Sequence, residues 1–209
     1  MAGVKTDHTL ERLVFFSDAV FAIAITLLVI EIHPPHFPRG TGNEEHLQAL
    51  AELIPEFVGY FVSFWVIGAF WMGHHRAFGL AAHYNPRILV WNMALLNVIA
   101  FMPFVSGYLS QNEAQSVPTV TYCLVMTVAA LLNYKVNKTA TSAPMVDEGA
   151  DPEAIRLVQL RSISVLLGAL SAVAFSVFVP QFGQLGLITI PLWRRLLSRR
   201  PRPASAEAA

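Results

Sequence analysis

Asp18 is the first residue whose chemistry needs explaining, because it stands with Ser17 inside a predominantly apolar run over residues 14–32. An aspartate at the centre of a membrane helix costs roughly 2.5–3.5 kcal/mol on insertion scales, so it requires water, a partner or a bundle interior. It lies about one turn from the end of its run, where water and head groups lower that cost, so a structural role competes with a functional one. His74 and His75 can titrate near neutrality, and equally one of them can be a satisfied structural partner. His33 and His36, in His-Pro-Pro-His-Phe, have a spacing that could hold a metal, but two prolines interrupt the helix and no third ligand follows, so no metal is expected. No nucleophile with a base, metal-ligand set or nucleotide-binding loop has recognisable spacing, so neither an enzyme nor a cofactor is expected. Thr26 and Glu31, in or near the same run as Asp18, are the remaining polar groups able to meet an ion.

The solvent that such residues face follows from composition. The 209 residues are 55% hydrophobic and 13% charged, with a positive mean hydropathy, which suits a bilayer better than water. Cys123 is the single cysteine, so an intrachain disulfide is impossible. The formal net charge of zero argues against a nucleic-acid partner.

Apolar runs of about 18 residues or more can cross a hydrocarbon core as helices. They predict an all-α, polytopic integral membrane protein with spans at 14–32, 55–72, 88–109, 117–134, 163–179 and, less regularly, 182–197. Pro55 sits where a first helical turn has no N–H to lose. The sixth span is short of a full crossing and ends in arginines that must snorkel, or else the bilayer thins around it. Six spans with both termini in the cytoplasm put every Lys and Arg except Arg39 on the inside, whereas five spans would carry the C-terminal arginine cluster out. On this reading residues 1–200 form one transmembrane domain, 201–209 a disordered tail, and Asn137 to Glu153 a flexible cytoplasmic linker. The first apolar run is too long for a signal peptide and contains Asp18, so it is expected to be retained.

Helical geometry divides the first span. At about 100° per residue Ile23, Thr26, Leu27 and Ile30 share one stripe, and Asp18 points roughly 140° away from Ile23. Around the axis of a symmetric oligomer this stripe would make apolar rings with a layer of Thr26 hydroxyls, while Asp18 faced helices of its own subunit. The same spacing also suits ordinary packing or lipid contact. Glu31 fits a cation-concentrating outer mouth or a solvated helix end.

Arg12-Leu13-Val14-Phe15-Phe16-Ser17-Asp18, running on through Leu28, resembles the Arg-x-x-x-Phe-Ser-Asp signature of the transmembrane protein 175 family of potassium channels. The likeness extends to Trp71, His74 and His75, to Trp91-Asn92, Asn97 and Pro103-Phe104; later spans match only in hydrophobicity and order. The resemblance implies a six-helix unit whose first helices surround the ion path. It further implies a polar network on Arg12, Phe16, Ser17 and Asp18, with partners among His74, His75, Trp91 and Asn92. The family's apolar constriction falls on Ile23 and its hydroxyl layer on Thr26. A single signature in the chain implies a homotetramer in a prokaryotic plasma membrane.

No Thr-Val-Gly-Tyr-Gly filter is present, so selectivity would rest on partial dehydration in an apolar ring and on Thr26. No span carries regularly spaced arginines, which implies a leak-type rather than voltage-gated potassium conductance. The competing readings are a proton-coupled or other secondary transporter, using Asp18 and nearby histidines with helix three broken at Pro103, and a membrane scaffold without conductance.

Overall fold

The computed structural model describes residues 8–112 and 115–198, and these are almost entirely helical. Helix α1 (His8–Leu27) ends in a 3-10 turn, Leu28–Glu31. A short α2 (Asn43–Glu52) precedes four long helices: α3 (Ile54–Phe78), α4 (Pro86–Ser110), α5 (Ser116–Ala140) and α6 (Pro152–Phe178). A 3-10 stretch, Pro180–Thr189, then leads into α7 (Ile190–Ser198). Among the described residues, five segments are long and apolar enough to cross a membrane: His8–Glu31, α3, α4, α5 and α6.

Proline and local capping fix where these helices begin. Pro86 and Pro152 open α4 and α6, and the Asn85 and Asp151 carboxamide and carboxylate accept from the N–H groups of Arg87 and Glu153, both at 3.0 Å. Helix α4 then continues unbroken through Pro103. The helices outrun the apolar spans at their polar ends, α3 to Phe78, α5 to Ala140 and α6 back to Pro152, because the backbone ladder persists where hydropathy has ended.

Consecutive long helices pack side by side, with α1 against both α3 and α4. The core is filled by Phe21, Leu28, Ile67, Leu95, Ile99 and Tyr122, each 2% exposed or less. Helix α2 lies apart from this core with no buried residue, its start held by the Gly42 N–H donating to the Glu45 carboxylate at 2.9 Å. Hydropathy gave no sign of it.

Two expectations change in detail. The segment after α5 is not a loose linker: Met145 is fully buried, its carbonyl accepts from the Ala82 and His83 N–H groups, and the Asp147 N–H donates to the Leu80 carbonyl. An apolar side chain and backbone pairing thus tie it to the α3–α4 turn. The sixth apolar segment is a 3-10 stretch plus a short helix folded back along α6, rather than one helix over 182–197. Ten residues of 3-10 geometry are long for this helix type. They accompany an approach so close that a Cβ on Gly186 would collide with the Ala172 Cα. The tail at 201–209 falls outside the described residues.

Candidate functional site

Helix α1 has two faces. Leu10, Leu13, Ser17, Phe21 and Ala24 form its buried side, with Leu28 following in the 3-10 turn, spaced by three or four residues as one side of a helix requires. A chain of hydrogen bonds anchors this face at Ser17, which is fully buried. His74 Nε2 lies 2.9 Å from Asn92 Oδ1, Asn92 Nδ2 donates to Ser17 Oγ at 2.8 Å, and Ser17 Oγ donates to the Leu13 carbonyl at 2.7 Å. The Asn92 amide oxygen can only accept, so His74 carries its hydrogen on Nε2 and every donor in the chain points towards α1. His74 stacks on Phe78 with ring centroids 4.3 Å apart and meets Phe21 at 5.5 Å. Its Nδ1 has no partner among the described residues. Three helices, α1, α3 and α4, are thus tied at one level.

Asp18 makes a second tie. The Trp71 Nε1–H of α3 donates to Asp18 Oδ1 at 2.8 Å, and Trp71 stacks against His75 at 5.4 Å. This bond lies at a partly exposed site, where water competes for the carboxylate. Trp71→Phe keeps the ring and removes the donor, so it is expected to cost about 1 kcal/mol. A thermal melt of the detergent-solubilised protein measures this, and a melting point equal to wild type means that water replaces the indole without loss.

The opposite face of α1 is exposed. Ile23, Leu27 and Ile30 are 57%, 40% and 64% exposed, and Thr26 is exposed between them. The Thr26 hydroxyl donates to the Ile23 carbonyl at 2.9 Å. Its hydrogen is therefore engaged with the backbone while oxygen lone pairs remain outward, an arrangement able to meet a cation.

A family model described as Endosomal/lysosomal potassium channel TMEM175 matches residues 12–103. A potassium channel of Streptomyces collinus is 39% identical over 124 residues, covering 57% of this chain and 59% of that protein. One from Chamaesiphon minutus is 33% identical over 144 residues, covering 67% of this chain and 70% of that protein. The chain belongs to the transmembrane protein 175 family. A crystal structure of a lysosomal potassium-selective channel TMEM175 homolog from Chamaesiphon minutus superposes with a TM-score of 0.76 at 25% identity, covering 93% of this chain and all of that one.

Among the family signature residues, Ser17 and Asp18 are drawn into the subunit and Arg12 and Phe16 are not. Arg12 is exposed and Phe16 is 50% exposed, and neither enters the hydrogen-bond chain. Of the four expected partners, His74 and Asn92 take part, His75 stacks on Trp71, and Trp91 lies elsewhere, with the Lys135 ammonium 5.8 Å from its ring centroid. Trp71 is the partner that the pairing with Asp18 had left out, although it stood among the residues carrying the family resemblance. A tryptophan near a membrane surface reads as an anchor, and only its three-dimensional position shows which way the indole N–H points. Glu31 packs over Gly107 of α4, its carboxylate within 2.5 Å of where a Cβ would stand, and its backbone carbonyl accepts from Gln111 Nε2 at 3.1 Å.

Proposed function

We propose that the chain is one subunit of a homotetrameric, potassium-selective leak channel whose α1 helices line a central pore. The observation that carries this reading is the exposed stripe of Ile23, Thr26, Leu27 and Ile30 on a helix whose other face is locked to α3 and α4. Fourfold symmetry would turn the stripe into stacked apolar rings around a hydroxyl layer, through which an ion passes only by shedding water. Potassium sheds water more readily than sodium, and the Thr26 lone pairs offer partial replacement. Membership of a family with relatives named potassium channels supports the same assignment.

The topology we propose has six crossings with both termini in the cytoplasm of a prokaryotic plasma membrane. A 3-10 helix rises about 2.0 Å per residue and an α-helix about 1.5 Å, so Pro180–Ser198 reaches roughly the 30 Å of a hydrocarbon core. Positive residues then concentrate on one side. The unbroken α4 at Pro103 weighs against the discontinuous helix of the transporter reading.

The test is potassium flux down a gradient in liposomes reconstituted with purified protein, sodium competing and internal pH followed in parallel. Wild type is expected to prefer potassium. Ile23→Asn replaces an apolar ring by amides and is expected to raise the flux on the order of tenfold, the effect of lowering a barrier by ~1.4 kcal/mol. Thr26→Ala is expected to reduce the preference over sodium. A folded oligomer without electrogenic flux in all three proteins overturns the channel reading. Proton movement without potassium movement assigns the path to a different ion.

A further inference from the structure

A second feature lies away from α1. Helices α3, α5 and α6 and the C-terminal segment enclose a cleft of about 440 Å³. Arg76, Arg161 and Arg194, from three different helices, stand along it. Arg161 lies within electrostatic reach of both others. Among the described residues none of the three forms an ion pair with a carboxylate. Three guanidinium groups gathered without a counter-charge form a site for an anion.

The rest of the cleft is apolar. From Arg76 it runs up α3 past Phe70 to Val66, on the order of 15 Å at the rise of an α-helix. Leu187 and Ile190 line the facing side. Asn133 is part of the wall and is 4% exposed, and its Oδ1 has no hydrogen-bond partner among the described residues. A buried amide left unpaired is costly, and it can both donate and accept, so it suits a ligand carrying ester or hydroxyl groups below its charge. Neighbouring Asn137 donates from Nδ2 to Ser162 Oγ at 2.9 Å, and its Oδ1 likewise has no partner among the described residues, which leaves a second acceptor in the wall.

We propose that this cleft binds one anionic phospholipid per subunit, the phosphate on Arg76, Arg161 and Arg194, the glycerol region at Asn133, and an acyl chain between Val66 and Leu187. Charge complementarity selects an anionic head group, and the elongated apolar wall selects a lipid over a free phosphate. The assignment concerns binding and stands whether or not the chain conducts ions.

The experiment is native mass spectrometry of the full-length protein, delipidated in detergent and titrated with phosphatidylglycerol or phosphatidylcholine, with gel filtration confirming a monodisperse fold. Wild type is expected to retain one phosphatidylglycerol per subunit in preference to phosphatidylcholine. Arg76→Gln/Arg161→Gln/Arg194→Gln is expected to bind phosphatidylglycerol about a hundredfold more weakly, from the typical contribution of each basic residue near a membrane surface. Arg194→Gln alone, on a short exposed helix, provides a well-tolerated intermediate should the triple variant misfold, and it is expected to weaken binding several-fold. Leu187→Trp fills the apolar wall without changing charge and is expected to block the lipid. Equal retention of both lipids, or retention unchanged by Arg194→Gln, overturns the proposal. Loss of binding to millimolar inorganic phosphate, with Leu187→Trp unaffected, overturns it in favour of a simple anion site.

Discussion

Asn92→Leu is expected to loosen α1 from its own subunit, destabilising the protein by about 1–3 kcal/mol. Asn92 is fully buried and stands in the middle of the hydrogen-bond chain, accepting from His74 and donating to Ser17. Leucine approximates its shape but leaves His74 without a partner on either nitrogen. The cost of such a buried orphan sets the magnitude. The lower part of the range is favoured by the membrane setting, since an unfolded chain in lipid also finds polar partners, and measured interhelical bonds there average about 0.6 kcal/mol. The decisive comparison is with His74→Phe/Asn92→Leu. When both partners become apolar, most of the penalty of the unpaired group disappears, so the double variant is expected to melt above Asn92→Leu, not below it. Additive losses would mean that the two side chains contribute through packing alone and that the hydrogen bond carries no coupling.

The same three residues show how far the sequence could be read. Helical phase alone turns Asp18 away from Ile23, and the structure has Asp18 accepting from Trp71 of α3 while Ile23 lies on the surface. The separation needs only a fixed turn angle and no knowledge of neighbours. Partner choice is different. Ser17 meets Asn92 across 75 residues of chain and Asp18 meets Trp71 across 53, and such pairings depend on where whole helices sit. Hydropathy marked the apolar middle of each long helix yet missed the polar ends, since α3 continues through His74, His75 and Arg76 by the same backbone bonds. It also missed the order in the segment containing Met145, where one buried side chain and a few backbone bonds suffice. The exposed stripe on α1 was legible as a stripe. Its use depends on what covers it, and helical phase alone does not carry that information.

The C-terminal segment gives the other large effect. Gly168, Ala172 and Ser176 recur every four residues along one side of α6, and all are buried. Against them lie Ile190, Gly186 and Gly183, running the opposite way. Small residues at such spacing let membrane segments approach to backbone contact, where dispersion rather than water exclusion supplies the attraction. A Cβ at Gly186 would run into the Cα and backbone nitrogen of Ala172. Carbon pairs prefer about 3.5–4.0 Å, so the two segments must separate by more than an ångström. Neither obstacle is a flexible side chain that can swing aside. Gly186→Val is therefore expected to cost about 3 kcal/mol or more, at or beyond the ordinary range of overpacking, and to release Pro180–Ser198 from α6. The indole of Trp193, whose Nε1–H donates to Ser171 Oγ at 3.1 Å, reports this release through its fluorescence and through protease cleavage after the nearby arginines. Gly68→Ala is the matched control: among the described residues nothing beyond its own stretch of helix lies within 4 Å of its Cβ position, so the gain in helix propensity, about 0.5–1 kcal/mol, is expected to appear. If Gly186→Val melts and resists cleavage like wild type, the close approach to α6 is not what holds the segment in place. If it releases the segment while α1 to α6 stay folded, Pro180–Ser198 docks as a separate unit on a bundle already complete.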